Sequence, residues 1–188
     1  RKSGATSTLS SVTIRPADVR VNLVPNVQPI VTVRLARSSD AASIHACLAA
    51  AFEPYRHLYS PDAYRDTVPT VTGLRKRMES MRLLVAVDDA GAVIGTVSYQ
   101  ILASGDGHLR GMAVIPSFQG RGVAQQLLAC AEDGLLQQGC SRVTLDTTEP
   151  LQRATQFYKR QGYDPTGVVG DFFGMPLYEF AKRLGDGA

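Results

Sequence analysis

The sequence predicts an α/β domain, and three observations carry that prediction. Leu83–Val87 is an apolar run, Asp88-Asp89-Ala90-Gly91 a turn, and Val93, Gly95, Val97, Tyr99 and Ile101 then alternate with Thr96, Ser98 and Gln100, which is a β-hairpin pattern. Ile44, Cys47, Leu48, Ala51 and Phe52 recur at helical spacing, as do Val123, Leu127, Ala131 and Leu135 further on. Segments of both kinds are interleaved from Val31 onward, as in helices layered on a sheet. A chain of 188 residues, 44% hydrophobic and 20% charged, has the material for a real core.

Taken in order, residues 1–30 read as an N-terminal extension rich in Ser, Thr and Pro, and residues 31–188 as the domain. Val31–Ala36 is a β-branched run, followed by Ser38 or Ser39 as the cap of a helix that Pro54 ends. An irregular aromatic stretch holds Tyr55, His57, Tyr59 and Tyr64, and Val71–Ser80 is a second helix with Leu74 and Met78 on one face. After the hairpin, Gly105-Asp106-Gly107 turns into the strand His108–Ile115, which Pro116 stops. The long helix from Val123 is closed by Gly139. Arg142–Thr147 is the next strand, and Thr148 or Glu149 is expected to cap a helix with Pro150 in its first turn. That helix turns Leu151, Ala154, Phe157 and Tyr158 inward, and two strands near Thr166–Val169 and Pro176–Ala181 close the fold.

The net charge is +3, yet residues 1–30 hold four basic residues and one acidic, while residues 31–188 hold 16 of each. The basic excess belongs to the extension, so no nucleic-acid partner is expected of the domain. No apolar run approaches the roughly 20 residues of a spanning helix, so no membrane partner is expected. Cys47, Cys130 and Cys140 share no metal-ligand spacing with one another or with the histidines, so no metal is expected. Cys47 and Cys130 fall on apolar helix faces, and buried free thiols fit a reducing, cytoplasmic compartment. No apolar leader run is seen near residue 1.

The informative segment is Val114-Ile115-Pro116-Ser117-Phe118-Gln119-Gly120-Arg121-Gly122-Val123-Ala124: strand, proline stop, glycine loop, helix start. Unpaired N–H groups and the positive end of the helix dipole converge there, which makes an anion cradle. It is neither a Walker loop, lacking Gly-Lys-Ser/Thr, nor a dinucleotide fingerprint, since Gln125 stands at the third glycine position. Gln119-x-x-Gly122-x-Ala124 resembles the pyrophosphate signature Arg/Gln-x-x-Gly-x-Gly/Ala of the GNAT superfamily of N-acetyltransferases, with Val114-x-Pro116 ahead of it. Tyr158-Lys159-Arg160-Gln161-Gly162-Tyr163 is similar to that family's Tyr-x-x-x-Gly-Phe/Tyr, and Val33-Arg34-Leu35-Ala36 to its first strand. The resemblance runs in order over residues 31–183.

The resemblance implies the acyl-CoA N-acyltransferase fold: a mixed, mostly antiparallel sheet of six to seven strands with splayed central strands, flanked by about four helices. It implies acetyl-CoA between the strands His108–Ile115 and Arg142–Thr147, splayed at a bulge near Gly111 or Met112. Backbone groups of Met112, Ala113 and Val114 would meet the pantetheine arm, and one of their N–H groups the thioester carbonyl. Gln119, Gly120, Arg121, Gly122, Val123, Ala124 and Gln125 would hold the pyrophosphate. One departure stands out: Leu151 occupies the place, seven residues before Tyr158, where many relatives carry an Asn that contacts CoA.

Acyl transfer to an amine requires a base, because an alkylammonium keeps its proton to about pH 10. The family's general acid corresponds to Tyr158. Asp146, late on its strand, and His108, at the start of its own, are both candidate bases, with Glu53 a third. In this family the acceptor lies opposite the donor, where Tyr55, Tyr59 and Phe172 would form its wall. A small-molecule amine is the expected acceptor, with a protein or peptide amine, or a non-catalytic acyl-CoA-binding module, as alternatives. A homodimer through exposed late strands is allowed.

Overall fold

The computed structural model describes residues 31–185, and the expectations for residues 1–30 lie outside the described residues. Seven strands form one sheet: β1 (Thr32–Leu35), β2 (Arg82–Val87), β3 (Val93–Ile101), β4 (Gly107–Val114), β5 (Arg142–Thr148), β6 (Asp164–Phe172) and β7 (Met175–Arg183). Their order is β1-β2-β3-β4-β5-β7-β6. Only β4 and β5 run parallel; the other neighbours are antiparallel.

Helices cover both faces. α1 (Ala41–Phe52), α2 (Pro61–Thr67) and α3 (Val71–Ser80) lie on one, and α4 (Val123–Leu136) and α5 (Gln152–Arg160) on the other. Ile44, Leu48 and Leu74 pack on Leu83, Val85 and Val87, while Leu127, Ala131 and Leu135 pack with Leu84, Leu109 and Leu145. β2 therefore reads as a continuous apolar run because both of its faces are buried. Each fully buried leucine contributes about 1.5–3 kcal/mol, which is what holds the two helix layers to the sheet. Arg34 ties β1 to the start of α1 by two bonds to Asp40, at 2.7 and 3.0 Å. That guanidinium holds the Asp40 carboxyl below the ordinary carboxylate range.

Several expectations are corrected here. Pro54 ends α1 by opening a 3-10 segment, Glu53–Leu58, and the irregular aromatic stretch contains α2, capped by the Ser60 hydroxyl accepting from the Ala63 N–H at 3.3 Å. The sheet of seven strands and the five α-helices among the described residues agree with the expected fold of six to seven strands flanked by about four helices. Pro150 is not in the first turn of α5, because the Leu151 N–H donates to the Thr148 carbonyl and closes a turn before the helix begins. The last two strands are nine residues each, longer than their short apolar cores suggested. Cys47 and Cys140 are buried but Cys130 is exposed, so the expected burial holds for Cys47 alone of the two helix thiols. No described helix is long and apolar enough to cross a membrane.

Candidate active site

The site begins with a fault in the sheet. Thr96 pairs with Ala113, but Ser98 pairs with Arg110, so Gly111 and Met112 together oppose Val97 as a bulge. Gly111 takes a φ of 64°, a conformation glycine adopts without strain. Bent there, β4 stays paired with β5 only over Gly107–Leu109, against Val143–Leu145. Beyond that point the edge of β4 that faces β5 has no ladder partner among the described residues. A cleft of about 860 Å³ opens between the two strands.

One end of the cleft is the cradle. Gly120 and Gly122 have φ of 75° and 79°, and Gly122 caps α4. The Gln119 side chain donates to the Val114 carbonyl at 3.0 Å and pins the loop to β4. Gln126 is the first residue of α4 bonded back to the loop, through the Gly122 carbonyl, which leaves the amides of Val123, Ala124 and Gln125 without a helical acceptor. A β-carbon built on Gly120 or Gly122 would meet no atom within 4 Å; both glycines border empty cleft. Arg121 differs from the expectation: it is absent from the cleft lining, and its guanidinium lies 5.2 Å from the centroid of the Phe118 ring.

Met112, Ala113 and Val114 line the middle of the cleft, with Leu151 and Thr147 facing them. The Thr147 hydroxyl is buried and has no hydrogen-bond partner among the described residues. Tyr158 is buried in the same wall, edge-on to Phe157 and Tyr163 at centroid distances of 5.4 and 5.8 Å. Burial raises the pKa of its phenol, which therefore stays protonated at any working pH.

His108 and Asp146, rival candidates in the sequence, are neighbours. The parallel register sets His108 beside Thr144, and Asp146 follows two residues on, along the same face. His108 Nε2 is 3.6 Å from Asp146 Oδ2, and Nδ1 is 2.9 Å from the Thr144 hydroxyl. That hydroxyl also lies 3.3 Å from the Gly107 carbonyl; in the tautomer protonated on Nδ1 it accepts from His108 and donates to that carbonyl, and Nε2, beside Asp146, then carries the lone pair. Burial lowers the His108 pKa, partly opposed by Asp146, and the imidazole is neutral near pH 7. Burial raises the Asp146 pKa, opposed by His108.

The far end is aromatic: Tyr55, Tyr59 and Phe172 all line it, and the Tyr59 and Thr148 hydroxyls are 2.6 Å apart. Glu53 is exposed and outside the cleft, where the Tyr64 hydroxyl donates to it at 3.4 Å, so it is not the base the sequence allowed. The sequence reading missed Asp66, Arg77 and Arg110, which also line the cleft. Only Arg110 carried a signal, two residues after His108 on one strand and hence on the same face.

The sequence model of the acetyltransferase (GNAT) family matches residues 44–163. Solved structures share the fold. A GNAT acetyltransferase from Staphylococcus aureus Mu50 superposes with a TM-score of 0.69 at 15% identity, over 83% of this chain and 100% of that one. The PaiA N-acetyltransferase of Thermoplasma acidophilum, solved with coenzyme A, gives 0.67 at 17% identity, over 82% and 99%. A nourseothricin acetyltransferase gives 0.63 at 18% identity, over 82% and 99%. With the family match covering well over half of its length, the chain belongs to the acetyltransferase (GNAT) family and is an acyltransferase enzyme.

Proposed function

We propose that the enzyme moves the acetyl group of acetyl-CoA to the primary amine of a small molecule, by direct attack of the amine on the thioester. One observation carries this reading: a single cleft joins the anion cradle to the His108–Asp146 pair. The residues present suit the donor. Gly120 to Gln125 offer backbone N–H groups and open space to a pyrophosphate, and the Thr147 hydroxyl is a buried polar group in want of a partner. The edge of β4 from Met112 to Val114, unpaired with β5, offers backbone groups to an amide-bearing arm and an N–H to the acyl oxygen.

Acetyl-CoA, when bound, supplies an acyl group on a thiol whose pKa near 8.5 makes it a fair leaving group. His108 Nε2 takes the proton of the incoming ammonium, and Asp146 stabilises the imidazolium that results. The Tyr158 phenol, kept protonated by burial, donates to the departing sulfur. A small acceptor is favoured because the acceptor end is bridged. The Ser60 hydroxyl donates to the Phe173 carbonyl at 2.9 Å, and the Ser60 N–H to the Met175 sulfur at 3.5 Å, tying α2 to the β6–β7 hairpin.

Steady-state turnover on an amine panel, with calorimetric CoA binding alongside, tests the reading. Tyr158→Phe is expected to bind CoA as the wild type does and to lower kcat about 10- to 100-fold, since the thiolate leaves without much help. Wild-type protein that binds CoA tightly and acetylates no amine overturns the catalytic reading. Free Cys47, Cys130 and Cys140 support a reducing, cytoplasmic setting, and soluble expression with thiols titratable after denaturation checks it. The edge strand β6 is exposed along nearly all of its length and carries Val168 and Val169, which supports a homodimer by edge pairing. Sedimentation of Val168→Lys against wild type tests it, with a wild-type monomer as the contrary result.

A further inference from the structure

We propose that the acceptor carries a carboxylate as well as its amine, and that Arg77 and Arg110 hold that carboxylate; this rests on the acetyl-transfer reading above. Arg77 projects from α3 into the cleft with its side chain only 12% exposed. Arg110 reaches the same wall from β4, beside the bulge. Asp66 is the acid they share. It is in close ion-pair contact with Arg110, but stands 3.9 Å from Arg77, whose Nη2 donates instead to the Asp66 backbone carbonyl at 3.0 Å. Two guanidinium groups thus share the Asp66 carboxylate, Arg110 also feels the charge of Asp146 along the cleft, and Arg77 is the one without a close carboxylate of its own.

Such an arrangement is costly for folding alone. A half-buried guanidinium without a full counter-charge loses hydration that a single carbonyl does not replace. The strain shows in Arg77 itself: burial, and then the neighbouring charge of Arg110, lowers its pKa. Gly111 adds a second observation. Its missing side chain leaves Arg77 Nη1 uncovered, since a β-carbon there would sit 3.6 Å from that nitrogen. Nη1 makes no hydrogen bond among the described residues, so Arg77, which lines the cleft, keeps a donor for a ligand. Arginine's planar fork matches a carboxylate in two bonds, which a point charge does not.

The opposite pole is close by. His108 and Arg110 lie two residues apart on one face of β4, a spacing of about 6.8 Å along a strand. An ammonium brought to His108 and Asp146 therefore has an anion site within the reach of one small molecule. Amino acids and other amino carboxylates satisfy both poles at once, and the aromatic wall of Tyr55, Tyr59 and Phe172 suits an apolar side chain on them.

The test compares acceptors that differ only in the carboxylate: phenylalanine with phenethylamine, methionine with 3-(methylthio)propylamine, lysine with cadaverine. For at least one pair, kcat/KM for the acid is expected to exceed that of its decarboxylated partner by about 100-fold, because a site built to bond an anion rejects the analogue without it. Arg110→Gln is expected to shrink that ratio to about 10 or less by raising the KM of the acid, with the KM of acetyl-CoA unmoved. Arg77→Gln serves as the second variant should Arg110→Gln not fold. Equal or faster turnover of the decarboxylated amine in every pair sinks the carboxylate site and leaves acetyl transfer standing. An arginine variant that weakens acetyl-CoA and not the acid reassigns the charge to the donor and overturns the proposal. No turnover of either member of any pair removes the amine-transferase reading and this inference together.

Discussion

His108→Gln is expected to lower kcat by about 10²- to 10⁴-fold, the span that a positioned base contributes. Glutamine keeps a polar side chain of similar reach toward Thr144 but has nothing that titrates. The pH profile separates loss of a base from loss of a contact. In the wild type, protonated His108 cannot accept a proton, so kcat at saturating acceptor falls as pH drops through its pKa. Burial puts that pKa below the ordinary imidazole value near 6.5, so the acid limb lies below that of a free histidine. The acceptor's own ionisation, near pH 10, is well separated from it. Asp146→Asn removes a negative charge that raises the His108 pKa, so the limb moves to still lower pH and the weaker base gives a lower plateau. If Asp146 were itself the base, His108→Gln would retain most of the activity and Asp146→Asn would abolish it. That pattern is the one that reverses the assignment.

The two candidate bases show what a single sequence can and cannot display. His108 and Asp146 were each legible as candidates, one at the start of a strand and one near the end of another. Their pairing was not, because it depends on β4 and β5 lying parallel with His108 beside Thr144, a register set by tertiary packing. The bulge at Gly111 and the cradle at Gly120 and Gly122 were readable for the opposite reason. Glycines in a strand and at a helix start report local backbone demands, and all three have φ near 64–79°. Helix α2 was missed because Pro61–Thr67 has too few apolar residues to show a stripe; its signal was the cap, Ser60 followed by Pro61. The last hairpin was under-read because β6 is exposed on both faces and so carries no alternation. Nothing in the sequence links Asp66, Arg77 and Arg110 to one another. Arg110 and Asp66 are 44 residues apart in the chain, and only the approach of α2 and α3 to β4 turns them into one charged wall.

Gly122→Val is expected to weaken acetyl-CoA binding by 100-fold or more while leaving the fold in place. Two separate effects act at this residue. Its φ of 79° lies in the left-handed region, where a β-branched side chain costs about 1–2 kcal/mol. The β-carbon itself, however, meets no atom within 4 Å beyond the neighbouring residues, so the side chain enters open space. Urea unfolding should therefore show a loss of only about 1–2 kcal/mol, that of the backbone strain. The larger effect falls on the ligand. A valine there fills the space that the cradle offers to a pyrophosphate and turns the first amides of α4 away from it. Comparing acetyl-CoA with S-acetylpantetheine, which has the same reactive end but neither the pyrophosphate nor the nucleotide beyond it, reads the contribution of that end of the donor. Wild type should prefer acetyl-CoA strongly, and Gly122→Val should lose most of that preference while its rate on S-acetylpantetheine changes little. Were the preference for acetyl-CoA to survive the substitution, the pyrophosphate would have to sit elsewhere than at the start of α4.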